Sequence, residues 1–146
     1  MKQRVALFLS LVFLVLAVIH FYWALGGEWG LSHALPTNEK GAQTLSPTLW
    51  DSLIIGMGLF LFSLFYVQRS GYVKWQWPKW LLRFGQWLIP SIFMLRAIGD
   101  FHFFGFFKVL KSTQFAVMDT WLYSPLCLWI GVMGFGLIFW RKEMLS

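Results

Sequence analysis

Residues 96–102 read Arg-Ala-Ile-Gly-Asp-Phe-His and lie near the end of the third of four long apolar runs. Arg96 and Asp100 are four residues apart, a spacing that places two side chains on one face of a helix. A charge near the centre of a bilayer costs about 2.5–3.5 kcal/mol on insertion scales, so such charges are usually paired or face a polar cavity. The segment therefore predicts a bundle of membrane helices arranged around a buried polar cluster.

The composition is that of an integral membrane protein. The chain has 146 residues, of which 58% are hydrophobic and 12% are charged, whereas a soluble domain has about 25% charged residues. Its length suits one domain over residues 1–146. The net charge of +6 comes from basic residues between the apolar runs, where membrane topology accounts for them, so no nucleic-acid partner is expected.

Each of the four apolar runs is long enough to cross a bilayer, for which about 20 residues suffice. We predict an all-α, four-transmembrane-helix bundle with helices at about 5–25, 47–68, 81–103 and 119–140 and an outer loop at 26–46. A cleavable signal peptide is the alternative interpretation of the first run, but its length and the three runs that follow favour an anchor. Pro125, within the first two turns of the fourth run, predicts a distorted entrance to that helix.

The basic residues predict the orientation of the bundle. With the N-terminus inside, most of them lie on the inner side and fewer on the outer side. The inner residues are Lys2, Arg4, Arg69, Lys74, Lys79, Arg83, Arg141 and Lys142, and the outer residues are Lys40, Lys108 and Lys111. The positive-inside rule then places both termini in the cytoplasm.

A spacing shared by the second and fourth runs raises the question of an internal repeat. The Ser-Pro pair at 46–47 precedes glycines at 56 and 58, and the Ser-Pro pair at 124–125 precedes glycines at 134 and 136. Two hairpins related by an axis along the membrane normal would produce this match. Chance similarity between two segments of membrane composition would also produce it, and the sequence leaves both interpretations open.

The rare ionisable residues fall at one depth when the four helices are placed side by side, towards the outer face. An ionisable residue inside a membrane is a functional hypothesis by default. The structural alternative is that Arg96 pairs with Asp100, Asp51 or Asp119 and only locks the helices together. The candidate site residues are His20, Trp23, Asp51, Arg96, Asp100, His102, Asp119 and Tyr123.

The residue types at these positions can be compared with those that metal binding and catalysis require. His20, His33, Asp100 and His102 are of ligand type, but no His-x-x-x-His or Glu-x-x-His spacing occurs, so we predict no metal site and no cofactor. Acid–base chemistry on a lipid-soluble substrate fits better, with a proton exchanged at His20 or a carboxylate while Arg96 holds an anionic group.

Four parts of the chain resemble a bacterial family of small four-helix membrane proteins, catalogued as a domain of unknown function (DUF3995). They are residues 20–36, residues 96–108, Asp119 and residues 123–127, and the resemblance covers essentially the whole chain. It implies a multi-pass protein of the bacterial inner membrane with no established activity, so no catalytic residue is carried over. The helix plan is also similar to that of the sterol-isomerase and sigma-2-receptor superfamily, by architecture alone.

Three functions remain as hypotheses. The first is a protein that binds or transports a small amphipathic or lipid-like ligand at the level of the outer leaflet, with Arg96 and Asp100 fixing its polar group. Apolar lining would then come from Trp23, Phe93, Phe101 and Tyr123. The alternatives are a membrane-embedded isomerase or reductase that uses His20 and Asp100 as acid and base, and a structural membrane subunit. The sequence does not determine an oligomeric state.

Overall fold

A computed structural model of the protein describes residues 1–36, 38, 43, 46–75 and 77–139. Within these residues the secondary structure is helical, without a β-strand. Four helical spans are long and apolar enough to cross a membrane: Lys2–Ala24, Leu49–Ser70, Lys79–Ile98 and Gln114–Phe139. The all-α fold with four candidate membrane spans is therefore confirmed.

The helices in chain order are α1 (Lys2–Ala24), α2 (Leu31–Ala34), α3 (Leu49–Ser70), α4 (Lys79–Ile98), α5 (Gln114–Met118) and α6 (Ser124–Phe139). A π-helical turn, Asp119–Tyr123, joins α5 to α6 without a break, so these three segments form the fourth span. The short helix α2 lies in the segment that the sequence marks as the outer loop, 26–46, part of which falls outside the described residues.

Local capping moves two helix starts from their predicted positions. The second span begins at Leu49 rather than 47, because Thr48 and Asp51 form a reciprocal capping box in which each side chain bonds the other residue's backbone N–H. The fourth span begins at Gln114 rather than 119, because the Thr113 hydroxyl accepts a hydrogen bond from the Ala116 N–H at 3.1 Å.

The third span ends earlier than predicted, at Ile98 instead of about 103. Gly99 ends it with φ of +95°, a conformation that only glycine adopts without strain. The backbone then returns past the helix end, and the Phe106 N–H donates to the Ala97 carbonyl at 2.9 Å. Asp100 consequently lies in a loop and not on the helix that carries Arg96.

The spans pack as two pairs. Small buried residues allow α1 and α3 to approach closely, and the hydroxyls of Ser10 and Ser63 lie 3.0 Å apart between them. Helix α4 packs on the fourth span, where a Cβ on Gly134 would lie 2.8 Å from the Pro90 Cβ. Helices α3 and α4 are consecutive in the chain but touch only slightly.

An aromatic core joins the two pairs. Phe13 of α1 is fully buried and stacks on Tyr66 of α3, with ring centroids 5.5 Å apart. It also meets Phe93 of α4 edge to face at 5.2 Å. Phe93 is thus part of the core, which corrects its predicted place in a ligand lining.

Candidate functional site

The centre of the polar region predicted from the sequence is the carboxylate of Asp119, which is fully buried. Its Oδ1 accepts a hydrogen bond from Nη2 of Arg96 at 2.8 Å. Its Oδ2 accepts from Lys108 Nζ at 2.9 Å, the Gly105 N–H at 2.8 Å and Ser124 Oγ at 3.0 Å. We call these five residues the Asp119 cluster. The carboxylate is fully used, since both of its oxygens are bonded to donors.

The π-helical turn explains how Asp119 and Ser124 meet. Residues five apart in an α-helix do not face each other. Here the Ser124 N–H donates to the Asp119 carbonyl, five residues earlier, which widens the turn. Pro125 follows at once and has no N–H to donate, which weakens α-helical bonding at this position. The distortion predicted from Pro125 is therefore present as a π turn that shapes the cluster.

Lys108 was not among the predicted site residues, yet it is the most deeply buried cation of the cluster. Its side chain is 2% exposed. Besides Asp119, its ammonium donates to the Gly105 carbonyl at 3.1 Å and to the Thr120 hydroxyl at 2.7 Å. An ammonium has three donors, and all three are thus used. The sequence signal for it is a lysine within the aromatic and apolar run 103–110.

Arg96 differs from Lys108 because part of its guanidinium remains without a partner. Nη2 binds Asp119, and the guanidinium carbon lies 4.5 Å from the centroid of the Phe104 ring, in cation–π geometry. Nη1 is buried and has no hydrogen-bond acceptor among the described residues. The side chain is 29% exposed. The cluster therefore holds two cations and one carboxylate, and the Nη1 group of one of these cations has no hydrogen-bond partner among the described residues.

Asp100 stabilises the loop and does not pair with Arg96. Its Oδ1 accepts hydrogen bonds from the backbone N–H groups of His102, Phe103 and Phe104 at 2.8–3.0 Å. The salt bridges found within the described ranges both involve Asp119. The predicted Arg96–Asp100 pair is wrong because α4 ends at Ile98, so the spacing rule for helices does not apply.

The hydrogen bonds that Asp100 accepts make the stability of the loop depend on pH. Partial desolvation raises the pKa of Asp100, but hydrogen bonds from the backbone N–H groups of Phe104, His102 and Phe103 outweigh it and lower the pKa below its ordinary value. The pKa of this carboxyl is therefore lower in the folded protein than in the unfolded chain, where it is about 3.9. Its ionised form stabilises the fold at pH values above about 3.9, and this stabilisation is lost as the pH falls through the pKa of the folded state.

We therefore expect Asp100→Asn to reduce the free energy of unfolding at pH 7 and to have progressively less effect below about pH 4. Wild type and variant should be unfolded in the same detergent across this range, with circular dichroism as the readout. A difference between the two proteins that stays constant down to pH 2 would contradict the role of the ionised carboxylate as a cap.

The other predicted residues lie outside the hydrogen bonds of the cluster. Asp51 is exposed and belongs to the capping box of α3. The His20 ring meets Trp23 edge to face at 4.9 Å, and its Nδ1 is buried without a hydrogen-bond partner in the described part of the chain. His102 is exposed and packs on Phe103.

Two aromatic residues of the predicted set contact the segment between α1 and α3. The Trp23 indole N–H donates to the Trp29 carbonyl at 2.9 Å. The Tyr123 hydroxyl lies 3.5 Å from the His33 carbonyl, to which it donates. Of the eight predicted residues, the cluster thus unites Arg96 and Asp119. The ranges that the structure describes contain no group of three or more His, Cys, Asp or Glu side chains placed to hold a metal ion.

Comparisons with known proteins identify a family to which the chain is similar. Neither the curated proteins nor the solved structures contain a match to this chain. The model of one family, described as "Protein of unknown function (DUF3995)", matches residues 13–134, a range that includes the whole Asp119 cluster. The chain therefore belongs to the DUF3995 family, as the sequence resemblance predicts.

Proposed function

We propose that this protein binds a small amphipathic molecule through Arg96, with the polar group of the ligand at the unused edge of the guanidinium. The observation that carries the proposal is the buried Nη1 of Arg96, which has no acceptor among the described residues. A buried donor left unsatisfied costs about 1–3 kcal/mol, and more when it is charged. An oxygen atom supplied by a ligand would remove this cost.

The charge of the cluster favours an acidic ligand group. Arg96 and Lys108 face the single carboxylate of Asp119, which leaves an excess of positive charge. A guanidinium presents two parallel N–H donors to a carboxylate or phosphate, so one such group can engage it in bidentate fashion. Asp100 is not part of this site, because its Oδ1 is held by the loop backbone.

The position of Arg96 supports an amphipathic ligand over a purely polar one. Ile92 lies four residues before Arg96, hence on the same face of α4, and its side chain is exposed. Leu95, next to Arg96, is also exposed. In a membrane these side chains meet lipid, so a hydrocarbon chain would run along α4 while its polar group reaches Arg96.

We further propose that the protein lies in the bacterial cytoplasmic membrane with both termini in the cytoplasm, which puts the cluster at the level of the outer leaflet. The excess of Lys and Arg on the inner connections supports this orientation. Within the cluster, Lys108 and Asp119 serve as a structural lock, since their hydrogen-bonding capacity is used internally. Arg96 is the member that serves binding.

Monododecyl phosphate is a suitable probe, because it joins an acidic group to a single alkyl chain. A ligand that binds the folded state raises its stability by mass action. We expect the probe to raise the melting temperature of the wild type in detergent, and to raise that of Arg96→Gln by clearly less. Arg96→Lys, which keeps the charge but loses the planar donors, should respond less than the wild type.

Two comparisons make the result specific to Arg96. Dodecanol carries the same chain without the acidic group, and Arg4→Gln removes an exposed positive charge from the first turn of α1, away from the Asp119 cluster. Arg4→Gln should respond to monododecyl phosphate as the wild type does. An equal response in Arg96→Gln and the wild type, or equal stabilisation by dodecanol, would overturn the proposal. If Arg96→Gln does not fold, Arg96→Lys decides the question.

A further inference from the structure

A second polar site lies at the other end of the bundle, in a groove between α3 and α4. Its volume is about 300 Å³, and it is lined by Arg69 in the last turn of α3 and by side chains of the first two turns of α4. The lining residues are Arg69, Lys79, Leu82, Arg83 and Gln86. Three of these five carry a positive charge, and this described lining includes no carboxylate.

The groove follows from the way the spans are paired. Helix α3 packs closely on α1, and α4 packs closely on the fourth span, whereas α3 and α4 touch only slightly. The connection between them is held by Gln68, whose side chain bonds the backbone N–H and carbonyl of Trp75 at 3.1 and 2.7 Å. Because α3 and α4 each pack on a different partner, an opening remains between them beside the segment that connects them.

An apolar groove of about 550 Å³ adjoins the basic one and shares Lys79 and Arg83 with it. Its remaining lining is aromatic: Trp80, Phe84 and Trp87, all exposed. Tryptophan is enriched at the level of lipid headgroups. The same two cations therefore border a charged compartment on one side and an apolar, membrane-facing compartment on the other.

We propose that these two grooves form a binding site for an anionic phospholipid of the inner leaflet. The phosphate would bind at Lys79 and Arg83 beside Arg69, and an acyl chain would lie along the aromatic side chains of α4. Basic pockets between membrane helices on the cytoplasmic side are suited to anionic headgroups. The site shares no residue with the Asp119 cluster, so it does not depend on the function proposed for Arg96, although its assignment to the inner leaflet rests on the proposed orientation.

Native mass spectrometry can test the site on the full chain. The protein would be exchanged into detergent containing equal amounts of phosphatidylglycerol and phosphatidylcholine with identical acyl chains. We expect the wild type to retain phosphatidylglycerol in preference to phosphatidylcholine. The double variant Lys79→Gln/Arg83→Gln should lower this preference by at least about tenfold, because each basic residue near an anionic headgroup contributes about fivefold.

Arg4→Gln/Lys74→Gln is the matched control, since it removes the same charge from exposed inner residues that do not line the basic groove. It should retain the wild-type preference. An equal loss in both double variants would show attraction to surface charge only, and would overturn the site. The absence of a lipid preference in the wild type would also overturn it. Release of phosphatidylglycerol by millimolar inorganic phosphate would show an anion site that does not recognise lipid, with the same consequence.

Discussion

Asp119→Asn should lower the free energy of unfolding by about 3–5 kcal/mol, the cost of removing one partner from a buried ion pair. The side chain keeps its size, so the effect would be electrostatic. Asp119 opposes both Arg96 and Lys108 at 2.8–2.9 Å, and the Lys108 side chain is 2% exposed. An asparagine would leave two cations without a counter-charge, one of them almost entirely removed from solvent.

Unfolding in detergent micelles, followed by circular dichroism, measures this effect, and Asp51→Asn provides the control. Asp51 is exposed and accepts a hydrogen bond from the Thr48 N–H in the capping box of α3, so its replacement should lower the stability much less than Asp119→Asn does. A loss at Asp119 no larger than that at Asp51 would contradict the central role of the cluster. Adding Lys108→Met to Asp119→Asn should restore part of the stability, because it removes the uncompensated buried charge.

The sequence predicted those features that depend on local properties of the chain. The four spans follow from the length and hydropathy of each apolar run, which neighbouring helices hardly alter. The distortion before Pro125 follows from one missing N–H group. The sequence also predicted that Arg96 pairs with a carboxylate, because an unpaired charge in a bilayer is costly. Asp119 was one of the three partners considered.

The features that the sequence did not predict depend on the course of the loop after α4. Gly99 ends the helix, although the aromatic residues that follow it are as apolar as the helix itself. Asp100 then binds backbone N–H groups, which every residue other than proline carries and which no side-chain pattern reveals. Lys108 enters the cluster only because the loop folds back, so spacing rules for helices could not identify it.

The start of the fourth span illustrates two signals in competition. Asp119 is a good helix-capping residue, which favours a start at that position. Thr113 is another, and the structure uses it as the cap of a longer helix. Asp119 then lies inside the helix, where its carboxylate accepts hydrogen bonds from other segments. Propensity alone did not distinguish the two starts, because the choice depends on the tertiary partners of Asp119.

Gly105→Ala is expected to destabilise the protein by about 2–5 kcal/mol, from the overpacking of a filled site and the cost of a positive φ for a residue with a Cβ. Gly105 has φ of +90°. A Cβ there would overlap the Gly99 Cα and the Ile98 carbonyl oxygen. Both are backbone atoms at the end of α4, so a side chain cannot move aside to make room.

The control for Gly105→Ala is Gly58→Ala in α3, where an added Cβ meets nothing within 4 Å and φ is not positive. That substitution should leave the unfolding free energy unchanged or raise it slightly. A comparable loss at both positions would show that the crossing of the loop over α4 does not explain the effect.

Combining Gly105→Ala with Asp119→Asn tests whether the loop and the buried carboxylate act as one unit. The Gly105 N–H donates to Asp119, and the Gly105 carbonyl accepts from Lys108. Displacing this backbone therefore removes part of what Asp119→Asn removes, and the combined loss of stability should be smaller than the sum of the two separate losses. Additive losses would mean that the loop is held at its crossing with α4 independently of the charges beneath it.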